Sequence, residues 1–99
     1  MRLSPNYHKV IKETFKLVFN GKAIYLFGSR VDDSKKGGDI DLYLILKDED
    51  LKNEELFEKK IKFLSKIKRN IGEQKIDIVF NKDKNRLIEQ EAIKWGIRL

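Results

Sequence analysis

A chain of 99 residues has room for one domain, taken here as residues 1–99, and its 40% apolar content is enough for a compact core beneath a heavily charged surface. The absence of cysteine excludes a disulfide framework and any thiolate metal site. No apolar run approaches the roughly 18–20 residues that cross a bilayer, and no apolar signal core opens the chain, so a soluble, cytoplasmic protein is expected.

Ser4-Pro5 reads as an N-cap followed by proline at the first helical position. Tyr7, Val10, Ile11, Thr14, Phe15 and Val18 then recur at helical spacing, and Asn20-Gly21 ends the helix. Ala23 to Phe27 is a short β-rich run between glycines, hence a first strand. Ile40 to Leu46 is a second, apolar enough to be covered on both faces. From about Asp50 to Asn70 one long helix is expected, with Leu51, Phe57, Ile61, Leu64, Ile67 and Ile71 on its apolar stripe and Gly72 as its stop. The net charge of +6 invites a nucleic-acid reading. However, the lysines of "NEELFEKKIKFLSKIKRN" are mixed with glutamates in the pattern of a solvated helix face, so nucleic acid is not the expected partner.

"KIDIVF" is a third strand, and Asp83 is placed as the cap of a last helix bearing Leu87, Ile88, Glu91, Ala92 and Trp95 in periodic positions. Gly96 closes that helix, and Ile97 to Leu99 add a terminal strand. The order is α-β-β-α-β-α, an α/β fold with a small mixed sheet and helices packed on it.

The stretch "YLFGSRVDDSKKGGDIDLYLIL" carries the chemistry. Asp39 and Asp41 interrupt what would otherwise be a buried strand, and an unpaired buried carboxylate costs several kcal/mol, on the order of 2–7 for a polar group. Residues two apart on a strand project from the same face, about 6.5–7 Å apart at Cα. A long helical connection makes the second and third strands parallel, which brings Asp77 to the same edge. The shorter first connection lets the first strand run antiparallel, so Gly28 and Ser29 end there too. Three clustered carboxylates repel one another, and a divalent cation reverses that logic. Hard oxygen donors with no histidine or cysteine nearby indicate Mg²⁺ or Mn²⁺ rather than zinc. Gly28 allows close approach of backbone to a phosphate, and the Ser29 amide and hydroxyl can donate to its oxygens.

"LFGSRVDDSKKGGDIDLYLIL" followed by "KIDIVF" resembles the minimal nucleotidyltransferases of the DNA polymerase β-like superfamily. Their signature is an apolar strand, Gly-Ser, a loop, Asp-x-Asp, and a later carboxylate on a strand. "LIEQEAIKWGIRL" resembles the closing helix and short strand of that family, so the likeness covers most of the chain. The resemblance implies that Gly28 and Ser29 hold the triphosphate of ATP or another nucleoside triphosphate, with Arg30 following them in the family's manner. It implies that Asp39 and Asp41 bind the metals and that Asp77 completes the metal site and helps deprotonate the acceptor hydroxyl. It further implies an antitoxin whose partner is a helical protein of the higher-eukaryote-and-prokaryote-nucleotide-binding (HEPN) class, silenced by adenylylation. The alternative is a binding module that neutralises its partner by contact.

Other residues carry plainer readings. Asp32 and Asp33 are loop residues, Lys35 and Lys36 are solvated or touch phosphate, and His8 is an exposed helix position. Tyr43 and Trp95 are core or interface anchors. Neither GxxxxGK[ST] nor GxGxxG occurs, which removes the P-loop and Rossmann readings.

Overall fold

The computed structural model describes residues 1–34 and 38–99; Lys35 and Lys36, read above as loop lysines, lie outside the described residues. Helix α1 spans Pro5–Val18 and is capped by Ser4, whose hydroxyl accepts from the Tyr7 amide at 3.1 Å. Strand β1 (Ala23–Phe27) leads into a single 3₁₀ turn over Gly28–Val31. Strand β2 (Ile40–Ile45), a one-turn helix α2 (Asp48–Leu51) and helix α3 (Leu56–Ile71) follow. Strand β3 (Ile76–Phe80), helix α4 (Leu87–Trp95) and the two-residue strand β4 (Ile97–Arg98) complete the chain.

The sheet order is β3-β2-β1-β4, with β1 antiparallel to both β2 and β4, and β2 parallel to β3. The long α2–α3 connection therefore makes the parallel crossover, and the loop after β1 makes the antiparallel return, as the connection lengths require. Ile24, Leu26, Ile40, Leu42, Leu44 and Phe80 face the main core, where Ile11 and Phe15 of α1 and Phe63 and Ile67 of α3 meet them. Phe19 sits between Phe63 and Phe80, with ring centroids 5.5 and 5.8 Å away. At the C-terminal end of β2, the Asn81 carboxamide accepts from the Leu46 amide at 2.9 Å and donates to the Leu46 carbonyl at 3.1 Å.

The other face of the sheet carries Phe27, Tyr43 and, partly buried, Tyr25, Ile45 and Val79; α4 covers part of it through Ala92. Tyr43 is thus a core residue, but Trp95 is 65% exposed and no core anchor.

Two helices depart from the expected pattern. The long helix is broken at 52–55, where the Asn53 side chain accepts from the Glu55 amide at 2.8 Å. Within α3 the buried residues are Phe63 and Ile67, whereas Phe57 and Ile61 are exposed. At 100° per residue these two lie about 80° and 120° around the helix from Ile67, off the true stripe. In α4, Leu87 and Ile88 point outward with Trp95, and Glu91 is exposed. The inward positions are Glu89 and Ala92. The helix also starts later than Asp83, whose carboxylate instead accepts from the Asn85 amide in the preceding turn. Apolar side chains were a poor guide here because the inward face is built around a buried acid.

That acid is fully satisfied. Glu89 accepts from the Tyr43 hydroxyl at 2.8 Å, the Asp83 amide at 2.8 Å and Arg86 Nε at 2.7 Å. Burial pushes the Glu89 carboxyl up, but those three donors outweigh it and hold it below the usual range. The Tyr43 hydroxyl is correspondingly pushed up, by burial first and by Glu89 second.

Candidate active site

Asp41 stands directly opposite Phe27 on β1 and Asp77 on β3, so the last residue of one strand and the early residues of two others meet in one row. Alternation places Asp41 and Asp77 on the face that bears Tyr43 and α4, while Ile40, Leu42, Ile76 and Ile78 are committed to the main core. The apolar neighbours therefore fix where the acids point.

Gly28 follows at once. Its φ of +76° is left-handed, and a Cβ there would collide with Asp41 Oδ2. Backbone and carboxylate are packed so closely that only glycine fits. Next in the loop, Gly38 lies against the Ser29 hydroxyl, which joins the two ends of the β1–β2 connection. Arg2 reinforces that join from outside: its guanidinium donates to the Ser29 carbonyl at 2.8 Å and to the Asp32 carbonyl at 3.0 Å. Arg30 completes it, with Nη1 donating to the Arg2 carbonyl at 2.9 Å and Nε to the Gly38 carbonyl at 3.3 Å.

The third carboxylate is placed differently. Asp39 precedes β2 and pairs with Lys75 Nζ at 3.3 Å. The pair is open to solvent, with side chains 42% and 71% exposed respectively, so solvent screens it and its own contribution to stability is small. Hydrogen bonding to Asp39, with the Asp39 and Asp77 charges behind it, raises the Lys75 pKa. Burial raises the Asp41 pKa, followed by the Asp77 and Asp39 charges and by a hydrogen bond between the Asp41 and Asp77 carboxyls; Lys75 pulls the other way. A half-buried acid held against like charges, with one lysine at its edge, is an electrostatic arrangement short of positive charge.

Gly28, Asp41 and Asp77 are thus brought together, and Ser29 lies next to them in the loop. Asp39 is at the rim, and the Arg30 side chain is occupied in holding the loop. Among the described residues, no three metal-donor side chains are drawn together tightly enough to form a ready-made cage. Asp32 and Asp33 belong to the outer loop, where Asp32 accepts from the Ser34 amide at 2.9 Å and Asp33 pairs with the terminal amine at 2.6 Å. Two residues of this region went unread in the sequence. Lys75 is two positions before Asp77, on the same side of the extended register, and that spacing was a usable signal; nothing in the sequence pattern marks Arg2.

A family model described as "Polymerase beta, Nucleotidyltransferase" matches residues 9–99. The chain belongs to the polymerase beta nucleotidyltransferase family. A comparison with curated proteins gave no match. The four-stranded mixed sheet with its helices is consistent with the family's fold, and the domain is of the general nucleotidyltransferase kind. Among the described residues, no helix is long and apolar enough to cross a membrane.

Proposed function

We propose that this nucleotidyltransferase domain moves a nucleoside monophosphate, AMP from ATP, onto a hydroxyl of a partner protein. The observation that carries the reading is the single row formed by Gly28, Asp41 and Asp77, with Gly28 backbone against the Asp41 carboxylate. The donor set fits a hard divalent cation: all donors are carboxylate oxygens, and burial, followed by their mutual repulsion, already lifts the Asp41 pKa. Asp39, Asp41 and Asp77 would hold Mg²⁺, or Mn²⁺, which when bound supplies positive charge to the triphosphate oxygens.

The remaining work falls to the chain's own groups. The Ser29 amide and hydroxyl donate to phosphate oxygens at the turn that Gly28 makes possible. Arg30 secures the loop in that shape and presents its charge beside it. Asp77 is the most exposed of the strand acids, and it takes the proton of the acceptor hydroxyl. The hydroxyl oxygen forms a bond to the α-phosphorus, the bond to the bridging oxygen of the β-phosphate breaks, and pyrophosphate leaves with that electron pair. Asp77 is exposed at the sheet edge, where a docked protein can present and orient a hydroxyl. A helical HEPN-class protein is the proposed acceptor, and the domain is proposed as the antitoxin that silences it in the cytoplasm.

The test is intact-mass spectrometry of a candidate helical partner after incubation with this protein, ATP and Mg²⁺. A gain of one or more AMP units that disappears in Asp41→Ala is expected. An unmodified partner, alongside efficient labelling of an aminoglycoside or an RNA end, overturns the reading. One observation favours a second reading, neutralisation by contact alone: Asp39 is paired with Lys75 rather than turned toward Asp41. That reading expects full partner inhibition by Asp41→Ala.

A further inference from the structure

Strand β3 is the last in the sheet order, so one of its sides has no strand beside it. The Ile40 amide donates to the Lys75 carbonyl at 3.0 Å, which sets the phase of the parallel ladder. In that phase the backbone groups of Lys75, Asp77 and Val79 face β2, and those of Ile76, Ile78 and Phe80 face outward. The Phe80 carbonyl is taken by Arg86 at 2.9 Å. Among the described residues nothing takes the Ile78 amide or carbonyl.

This edge is the floor of a groove of about 280 Å³ between the start of α3 and the start of α4. Its walls are apolar and open: Phe57 is 68% exposed on one side and Ile88 43% exposed on the other. Lys60 and Lys82 stand at its margin, and among the described residues neither has an acidic partner. A bare strand edge between apolar walls is an assembly hazard unless something covers it or repels self-pairing. Two copies meeting edge to edge would bring these lysines together on chains of net charge +6, which argues against a second copy as the occupant.

We propose that the free edge of β3 accepts an extended segment of a partner protein as a fifth strand, with two consecutive apolar side chains, one against Phe57 on the α3 face and one against Ile88 on the α4 face, and flanking carboxylates toward Lys60 and Lys82. Main-chain bonds to Ile78 supply affinity, and the two apolar walls and the lysines supply selection. The groove begins one residue beyond Asp77, so a segment seated there runs on to the carboxylates. Its use in delivering the acceptor hydroxyl rests on the proposed transfer activity; the docking itself rests only on the edge.

The probe is an end-blocked eight-residue peptide repeating Val-Val-Glu-Glu, which presents both residue types to both faces, with a Val-Val-Lys-Lys peptide as its opposite, added to the isotope-labelled protein for amide NMR. The glutamate peptide is expected to slow exchange of the Ile78 amide at least tenfold and to bind at least tenfold more tightly than the lysine peptide. Phe57→Lys and Ile88→Lys, both at exposed positions, should each weaken it fivefold or more, while Asp41→Ala leaves it unchanged. No slowing at Ile78, equal binding of the two peptides, or indifference to both groove variants overturns the proposal. Concentration-dependent protection of Ile78 in the protein alone, matched by dimers in sedimentation, also overturns it. Binding with no transfer would leave docking standing and remove only the catalytic reading.

Discussion

Replacing Gly28 by alanine separates two roles that this glycine combines. The first is conformational: φ is +76°, and a non-glycine residue there costs about 1–2 kcal/mol. For a domain of this size that lowers Tm by about 4–16 °C. The second role is spatial: the new Cβ would strike Asp41 Oδ2 and stand 3.2 Å from its Cγ, so the carboxylate must turn away from the loop. If that carboxylate holds the cation of a bound metal–nucleotide complex, affinity for MgATP should fall at least tenfold, or about 1.4 kcal/mol. Gly72→Ala is the control. Its φ of +86° and ψ of −174° are at least as costly for alanine, yet a Cβ there meets nothing within 4 Å. Titration calorimetry with MgATP should be run at a temperature where circular dichroism shows all three proteins folded. Gly28→Ala should bind poorly and Gly72→Ala normally, although both melt early. Wild-type affinity in Gly28→Ala would refute the placement of nucleotide beside Asp41, and equal losses in the two variants would show that stability alone is being read.

Asp41→Asn should raise the metal-free melting temperature at pH 7, because the native protein holds the proton of Asp41 more tightly than the unfolded chain does. A raised acid loses stability as pH rises from the unfolded value of about 3.9, so the gain should vanish below about pH 3.5; a gain independent of pH would exclude the burial and repulsion of a charged Asp41 as its cause. Glu89→Leu should cost about 2–4 kcal/mol in urea unfolding, since it strands the Tyr43 hydroxyl and the Asp83 amide. The Glu89 carboxyl is held low, so its contribution is present above the unfolded value of about 4.3 and declines as pH falls through the folded value. The wild-type and Glu89→Leu unfolding curves should therefore converge in acid. Lys75→Gln should tighten Mn²⁺ binding about two- to fivefold at low salt by removing the cation that competes for Asp39, an effect lost at high salt; unchanged or weaker binding would make Lys75 a helper of the metal site.

The strands and the facing of Asp41 and Asp77 were legible in the sequence because strand alternation is rigid: Ile76 and Ile78 in the core oblige Asp77 to face the other way, whereas Asp39 lies before β2 and escapes that rule. Parallel pairing of β2 and β3 followed from the length of the connection between them. Helical readings were weaker, since a stripe of about 100° tolerates neighbours on either side, and Phe57 and Ile61 were mistaken for members. On α4 the inward residue is a glutamate, and its burial depends on Tyr43, 46 positions away, a pairing no local window contains. The roles of Arg2 and Lys75 also arise from contacts across the chain, at Ser29 and Asp39.

The clamp between Asn81 and Leu46 acquires its meaning from what a misaligned sheet would do. Sliding β3 by one position would bury Asp77 and turn Ile76 and Ile78 outward, a mistake the core rejects. Sliding it by two would keep every apolar residue inward, so alternation would not detect the error, although Phe80 would leave its place against Phe19. Yet Asp77 would end about 6.6 Å from its place beside Asp41. Only a contact sensitive to absolute position can tell these alignments apart, and Asn81 gripping both the amide and the carbonyl of Leu46 is such a contact. It sits at the far end of the strand pair from the acids and acts as a proofreader of alignment, rejecting an error that alternation alone would let pass.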